Sequence, residues 1–334
     1  MFRQFALGVV AALLAGCSGP ASQSDYFDNA GREDLLAGGV RMIEIDTPDG
    51  PHKVWTKRTG NNPALNLLLL HGGPAFTHDY FQAFDSFLPA AGIEYYYYDQ
   101  LGAGRSDRPD NDDLWTIPRF VDEVEQVRVA LGLDATNFCI LGHSWGGILA
   151  IEYALAHQDK VKCVIISNMM ASIPAYNQYA AEVLAPGFDP AALSEIMALE
   201  EAKNYSNPRY MELLTKEHYE KHILRMPADE WPEPVNHAFA MHNPHIYTLM
   251  QGPSEFRASG RLENWDRTAD LATITVPALT IGGAYDTMDP KHMEWMAGQM
   301  PNGRYLGTSG SHMAFYDDQE TYMRGLIGFL KDVE

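Results

Sequence analysis

Residues 137–147 read NFCILGHSWGG, an apolar run that leads into the pattern Gly-x-Ser-x-Gly around Ser144. The run predicts a buried strand, and the pattern predicts that this strand turns sharply into a helix. Glycine two positions to each side of the serine removes Cβ atoms that would clash in such a turn, which lifts the hydroxyl clear of the backbone. Gly-Ser stretches also occur in ordinary turns, so the neighbouring sequence decides between the two interpretations.

Strand-like and helix-like segments alternate on both sides of this turn. The apolar runs typical of buried strands are 65–73, 93–100, 137–144 and 161–168. Helix-like segments separate them, and 120–133 carries its apolar residues on one face. This order predicts an α/β fold with a mostly parallel sheet and right-handed crossovers.

The alternation stops after residue 169 and resumes at 274–286. Between these points, 170–265 contains helix-like stretches broken by prolines and is rich in Met, Tyr, His and Trp. We therefore predict one core, formed by 40–169 and 266–334, with 170–265 inserted as a helical cap. Open parallel sheets bind ligands at the carboxyl ends of their strands, so the cap is expected to act as a lid there.

The first residues are typical of a sorting signal. The apolar stretch 5–14 follows Arg3 and is too short to cross a bilayer as a helix, so 1–16 is predicted to be a signal peptide. The sequence LAGC at 14–17 resembles the lipobox of bacterial lipoproteins, which implies lipidation of Cys17. A plain signal peptide with an incidental cysteine is the alternative.

The polar segment 17–39 is expected to be a flexible tether between the lipid and the core. A lipid anchor at Cys17 would hold the protein in the cell envelope. If the source is Gram-negative, Ser18 rather than aspartate after that cysteine favours the periplasmic face of the outer membrane.

The formal net charge is −20 at pH 7, and this excess of acidic groups repels phosphates, so nucleic acid is not an expected partner. Cys139 and Cys163 lie in apolar, strand-like runs, where small buried thiols are common. An exported protein can form disulfides, but the spacing does not demand one, and we expect two free thiols.

A serine hydroxyl becomes a good nucleophile when a histidine accepts its proton and a carboxylate orients that histidine. Asp286 and Asp289 follow Ser144 near the end of one predicted strand, and His312 follows the next. His143 is directly beside the serine and is expected to pack in the turn instead. A metal site built from His71, His143 and His312 has little support from the spacing, and no metal is predicted.

The tetrahedral intermediate of such a reaction needs two N–H donors. We expect one from Trp145, the residue after the nucleophile. The other is expected from the loop that begins at His71, where Gly72 and Gly73 let the backbone approach a substrate carbonyl, and Gly73 is the preferred donor.

Several motifs in order resemble the proline iminopeptidase family of serine α/β-hydrolases, close to its tricorn-interacting aminopeptidase branch. They are HGGPAFTHDYF, YYDQLGAGRSDRP, GHSWGG, GPSEF, GGAYDTMDP and GSHMAFYDD. The resemblance implies an α/β-hydrolase fold, no cofactor, Ser144 as nucleophile, His312 as base and Asp286 rather than Asp289 as the acid. It also implies Gly73 and Trp145 as the oxyanion donors.

The same resemblance implies that Glu255, in GPSEF, holds the free ammonium group of the substrate. Thr287 departs from the family pattern, in which a glutamate tends to follow the catalytic aspartate. The expected function is a serine aminopeptidase that releases proline or another apolar residue from short peptides. An esterase or amidase acting on amino-acid esters or amides is the alternative, and an inactive binding lipoprotein is a third hypothesis.

Overall fold

The structure is a computed structural model and describes residues 23–334. The predicted signal peptide and Cys17 lie outside the described residues. The strands are β1 (Val40–Thr47), β2 (Gly50–Thr59), β3 (Asn66–Leu70), β4 (Glu94–Asp99), β5 (Phe138–His143), β6 (Cys163–Ser167), β7 (Ala278–Gly283) and β8 (Gly303–Thr308).

These strands form a single sheet in the order β1-β2-β4-β3-β5-β6-β7-β8. The pairs β1–β2 and β2–β4 are antiparallel, and all the others are parallel. The predicted α/β fold with a mostly parallel sheet is therefore confirmed. Parallel strands place their carboxyl ends at one edge, so residues far apart in the chain meet there.

Helices cover both faces of the sheet. The α-helices are α1 (Gln23–Tyr26), α2 (Ile117–Leu131), α3 (Trp145–His157), α4 (Ile173–Tyr179), α5 (Pro190–Glu201), α6 (Pro208–Leu214), α7 (Glu233–Met241), α8 (Pro244–Met250), α9 (Pro290–Gln299), α10 (Ala314–Asp317) and α11 (Gln319–Val333). Short 3₁₀ helices include Leu35–Ala37 and His78–Ser86, and π-helical turns span Ala180–Leu184 and Thr215–Ile223. Successive leucines of β3 face opposite cores: Leu68 packs in the layer of α2 and α3, and Leu69 in that of α11.

Residues 170–265 fold into helices and connecting loops. The chain leaves and re-enters the core side by side, because Ser172 forms a β-bridge with Asp266 and its hydroxyl donates to that carboxylate at 2.9 Å. Farther along the segment, the chain reaches the edge of the sheet, where the Asn243 N–H donates to the Ala75 carbonyl at 2.9 Å. The segment therefore covers the loops that follow the strands, and we refer to it as the cap.

The N-terminal segment differs from the predicted tether. Tyr26 is buried, its hydroxyl donates to the Ile93 carbonyl at 2.9 Å, and Arg32 pairs with Glu94 at 2.6 Å. Asp34 forms a buried ion pair with Arg58 at 2.6 Å. The expectation of a flexible tether over the whole of 17–39 is therefore wrong for 26–39, because specific polar contacts hold these residues on the core.

The expectation of free thiols at Cys139 and Cys163 is also wrong, because the two residues form a disulfide. They occupy paired positions on the neighbouring strands β5 and β6, with Cα atoms 4.6 Å apart. This separation is within the range that a disulfide spans. The strand order brings the residues together, and the sequence spacing alone does not reveal that order.

In the part of the chain that the structure describes, we find no helix with the length and apolar character needed to cross a membrane.

Candidate active site

Ser144 lies in the sharp turn between β5 and α3, with φ 55° and ψ −126°. A Cβ atom at Gly142 would lie 1.8 Å from the Gly146 carbonyl oxygen, and one at Gly146 would lie 2.0 Å from the Leu70 carbonyl oxygen. Both distances are far below any van der Waals contact. The glycines therefore allow β5, β3 and α3 to come close enough to hold the serine in this strained conformation.

Substitution of Gly146 by alanine tests this account of the turn. The new methyl group meets backbone rather than a mobile side chain, so we expect the free energy of unfolding to fall by about 2–4 kcal/mol. Gly298, inside α9, is the matched control because an added Cβ meets nothing within 4 Å. Gly298→Ala is expected to be neutral or to stabilise by up to about 1 kcal/mol. Urea unfolding measures both changes, and equal stabilities for the two variants would contradict the account.

His312 and Asp286 form a buried pair at the same edge. His312 Nδ1 lies 2.8 Å from Asp286 Oδ1, and neither side chain is appreciably exposed. The Asp286 carboxylate also accepts from the Asn168 side-chain amide at 2.7 Å and from the Met288 N–H at 3.0 Å. Because the Asp286 carboxylate is the acceptor of this contact, the Nδ1–H of His312 points to it, which leaves Nε2 free to act as a base.

Burial alone would lower the pKa of His312, but the charge of Asp286 and its hydrogen bond outweigh burial and raise the pKa. The Glu255 carboxylate adds to the increase. A histidine with a raised pKa accepts a proton from a hydroxyl more readily than an ordinary imidazole does.

Ser144 and His312 line one cavity, together with Gly73 and Glu255. Among the described residues no hydrogen bond joins the side chains of Ser144 and His312. Contacts of this kind are often long before substrate binds and shorten in the complex. The structure thus forms the Asp286–His312 pair and brings the serine to the same cavity.

His143 packs beneath this pair. Its Nδ1 lies 3.1 Å from the Tyr80 hydroxyl, and its Nε2 lies 2.8 Å from the backbone carbonyl of His312. Burial first, and then the neighbouring His312, keep its pKa well below the ordinary histidine value. A neutral imidazole that donates to the His312 carbonyl holds the backbone of the base in place.

Two further residues of the site were not predicted from the sequence. Asn168 follows β6 in the left-handed region, with φ 53°, and aims its amide at Asp286. Tyr80 accepts a hydrogen bond from the Gly72 N–H at 2.5 Å and so fixes the glycine loop. Asn168 was the last residue of a predicted strand, and that position at the carboxyl edge is the signal that could have identified it.

Of the two predicted oxyanion donors, Gly73 lines the cavity with Ser144, and Trp145 directly follows that serine in the chain. Gly73 has φ 114°, a conformation that favours glycine, and an added Cβ would lie 2.7 Å from the Phe76 N–H nitrogen. The N–H of Trp145 is the first of α3, where backbone N–H groups have no partner within the helix. The Trp145 indole donates to the buried Gln100 side chain at 2.8 Å, which fixes the start of the helix.

Glu255 brings a carboxylate from the cap into the cavity. It is only 7% exposed, and its Oε1 accepts from the Tyr247 hydroxyl at 2.7 Å. Its backbone carbonyl accepts from the Tyr176 hydroxyl and lies 3.1 Å from His218 Nε2. Burial raises the pKa of Glu255, and the nearby His312 and the Tyr247 hydrogen bond partly oppose that increase.

Thr287 lies behind Glu255 and is fully buried. Its hydroxyl is 3.1 Å from His218 Nε2 and 3.3 Å from the Glu255 carbonyl oxygen, so it holds the backbone that carries the carboxylate. Asp289, the alternative acid, instead caps α9 by accepting from the Lys291 N–H at 2.9 Å. Within the described part of the chain, no group of three or more His, Cys, Asp or Glu side chains is arranged to hold a metal ion.

Comparison with known proteins agrees with this fold. A family model described as alpha/beta hydrolase fold matches residues 66–319. The proline iminopeptidase of Flavobacterium johnsoniae is 54% identical over 293 residues, which cover 87% of this chain and 98% of that protein. The chain belongs to the proline iminopeptidase family. As a member of that family of α/β-hydrolases, it is a serine hydrolase.

Two further proteins extend the comparison within the proline iminopeptidase family. The proline iminopeptidase of Chitinophaga pinensis is 50% identical over 87% of this chain and 98% of its own length. The crystal structure of a proline iminopeptidase from Mycobacterium smegmatis is 28% identical and superposes with a TM-score of 0.77, over 88% of this chain and 98% of that one.

Proposed function

We propose that this enzyme is a serine aminopeptidase that releases proline or another apolar residue from the N-terminus of short peptides. The observation that carries the proposal is the Glu255 carboxylate, which lines the same cavity as Ser144 and His312. A carboxylate there pairs with the free ammonium of a substrate whose first carbonyl lies at the serine. The names of the relatives support the same activity.

The reaction proceeds through an acyl-enzyme. The Ser144 oxygen attacks the carbonyl carbon of the first residue, and its proton passes to Nε2 of His312 while Nδ1–H stays bonded to Asp286. The N–H groups of Gly73 and Trp145 stabilise the negative charge on the carbonyl oxygen. The C–N bond then breaks, and His312 donates its proton to the departing amine of the shortened peptide.

Water completes the cycle. It attacks the ester carbonyl and loses a proton to His312, which returns that proton to the Ser144 oxygen as the ester bond breaks. The first residue leaves as the free amino acid.

The lining of the cavity supports release of an apolar residue. Beside the polar groups, the cavity is lined by the apolar side chains of Phe76, Ile223, Phe239 and Met313. Phe239 and Phe76 pack edge to face with ring centroids 4.9 Å apart, so a cap residue and a core residue share the wall.

Hydrolysis of prolyl p-nitroanilide and of its N-acetylated form tests the proposal. The purified enzyme is expected to cleave the free-amine substrate with a kcat/KM at least about 100-fold higher, because acetylation removes the charge that pairs with Glu255. Equal rates on the two anilides would contradict the aminopeptidase assignment.

A second candidate function is an esterase or amidase that needs no free amine. One observation favours it: the residue after Asp286 is the neutral Thr287, and Glu255 is the one carboxylate among the described residues that line the cavity. This candidate predicts turnover of N-acetylated esters at rates similar to those of free-amine esters, so a matched pair of prolyl esters separates the two functions.

The raised pKa of His312 gives a pH prediction. Only the neutral imidazole accepts the Ser144 proton, so kcat/KM is expected to fall on the acid side through a pKa above the ordinary histidine value. The negative charge of Glu255 contributes to the raised pKa of His312. Glu255→Gln is therefore expected to shift the acid-side fall of kcat/KM, here called the acid limb, to lower pH. The pH profile of kcat/KM measures both effects, and a limb that stays in place or moves to higher pH in the variant would count against this coupling.

We propose that the enzyme is exported and held in the cell envelope by lipid on Cys17. The disulfide between Cys139 and Cys163 supports export, since disulfides persist in oxidising compartments. Alkylation of the unfolded protein, followed by mass spectrometry, is expected to modify these two cysteines only after reduction.

Cys17→Ala is expected to release the enzyme from the membrane fraction. Absence of lipid on Cys17 of the wild-type enzyme by mass spectrometry would reject the anchor.

A further inference from the structure

We propose that Phe27, Leu35 and Leu36, here called the N-terminal apolar patch, insert into the surface of the lipid bilayer and turn the active site away from it. The proposal rests on the lipid anchor proposed at Cys17 and adds an orientation of the enzyme on the membrane.

The patch consists of large apolar side chains that the fold leaves in solvent. Phe27 is 62% exposed, Leu35 is 53% exposed, and Leu36 is fully exposed. Phe27 and Leu35 line one surface depression with Lys57 and Asp85. Charges of both signs therefore lie beside the patch, so we expect its contact with lipid not to depend on anionic headgroups.

The backbone beneath the patch is firmly held. Tyr26 is buried against Gly60, where an added Cβ would lie 2.3 Å from the tyrosine ring. The Arg58–Asp34 ion pair fixes the other end of the segment, one residue before Leu35. The exposed side chains are thus presented by a rigid surface, which favours a defined contact over a loose chain.

The position of the patch in the chain points to lipid as its partner. Cys17 precedes Tyr26 by about nine residues, which span at most roughly 30 Å when fully extended. A lipid on Cys17 would therefore keep the patch close to the bilayer at all times. Because the lipid already holds the protein at the bilayer, insertion of these apolar side chains removes them from water and costs little further translational entropy.

The patch lies at the opposite edge of the sheet from the active site. Tyr26 and Arg32 bond to Ile93 and Glu94, at the amino end of β4. Ser144 and His312 follow the carboxyl ends of their strands, and a strand of six residues spans about 20 Å. A bilayer on the patch therefore leaves the cap and its cavity facing the aqueous compartment, where short soluble peptides are found.

A site-directed fluorescence experiment tests this orientation. The full lipidated chain carrying Leu36→Cys is labelled with a polarity-sensitive dye and reconstituted in phosphatidylcholine vesicles that contain spin-labelled lipid. With Cys17 lipidated and Cys139 and Cys163 in a buried disulfide, the new thiol is the reactive one. Val183→Cys, on the cap and 55% exposed in the native protein, is the matched control.

We expect spin-labelled lipid to quench the dye at position 36 at least about twofold and to leave the dye at 183 unchanged. Phe27→Cys, a second site in the patch, is expected to behave like Leu36→Cys. Hydrolysis of prolyl anilide should be unchanged in all three variants, which checks that they are folded.

Two results would overturn the proposal. One is an unquenched dye at 27 and 36 in protein that sediments with the vesicles, and the other is quenching at 183. Protein that carries no lipid on Cys17 by mass spectrometry and does not sediment would reject the anchor and the patch together. The hydrolysis assay reports separately on the proposed aminopeptidase activity.

Discussion

Ser144→Ala is expected to lower kcat/KM for prolyl p-nitroanilide on the order of 10⁵-fold, because it removes the atom that forms the acyl-enzyme. The other site groups remain, so the residual rate should reflect only substrate binding and oxyanion stabilisation. Alanine is close in size to serine, and the variant should unfold at a similar urea concentration.

Labelling by a fluorophosphonate probe provides an independent measurement of the same prediction. The wild-type enzyme should react with the probe at Ser144, and the alanine variant should not. Ser206→Ala, at an exposed position of the cap, is the matched control and should retain full activity and labelling. Persistence of label or of most activity in Ser144→Ala would show that another group is the nucleophile.

Glu255→Gln is expected to have the second-largest effect, and the effect should depend on the substrate. Glutamine has the same shape and can keep the Tyr247 hydrogen bond, but it cannot neutralise an ammonium group. Loss of a buried charge partner costs on the order of 2–5 kcal/mol. We therefore expect kcat/KM for prolyl p-nitroanilide to fall by roughly 30-fold or more, and that for the N-acetylated form to change little.

The comparison of the two substrates distinguishes charge pairing from general damage to the cavity. A variant with a disturbed cavity would lose activity on both anilides by similar factors. Glu201→Gln, at an exposed position of the cap, is the control for removal of a negative charge from the same segment and should leave both rates unchanged. Equal loss on both substrates in Glu255→Gln would refute the ammonium-binding role.

Much of the fold could be predicted from local patterns. Continuous apolar runs predicted the parallel strands, and their alternation with amphipathic segments predicted the layers of helices. These signals are local because a strand buried on both faces needs apolar residues at every position. The turn at Ser144 was equally readable, since its two glycines relieve clashes within a few residues of the serine.

What the sequence by itself determined is the set of chemical groups and their places at the ends of strands: a serine in a strained turn, a later aspartate and a histidine beyond it. What only the tertiary structure decided depends on which strands are neighbours and on where the cap and the N-terminal segment lie. The Cys139–Cys163 disulfide, the amide of Asn168 on Asp286 and the packing of Tyr26 belong to this second group. The physical reason is that the sequence around each of these residues does not indicate its partner. Only the packing of the whole chain brings the two partners within contact distance.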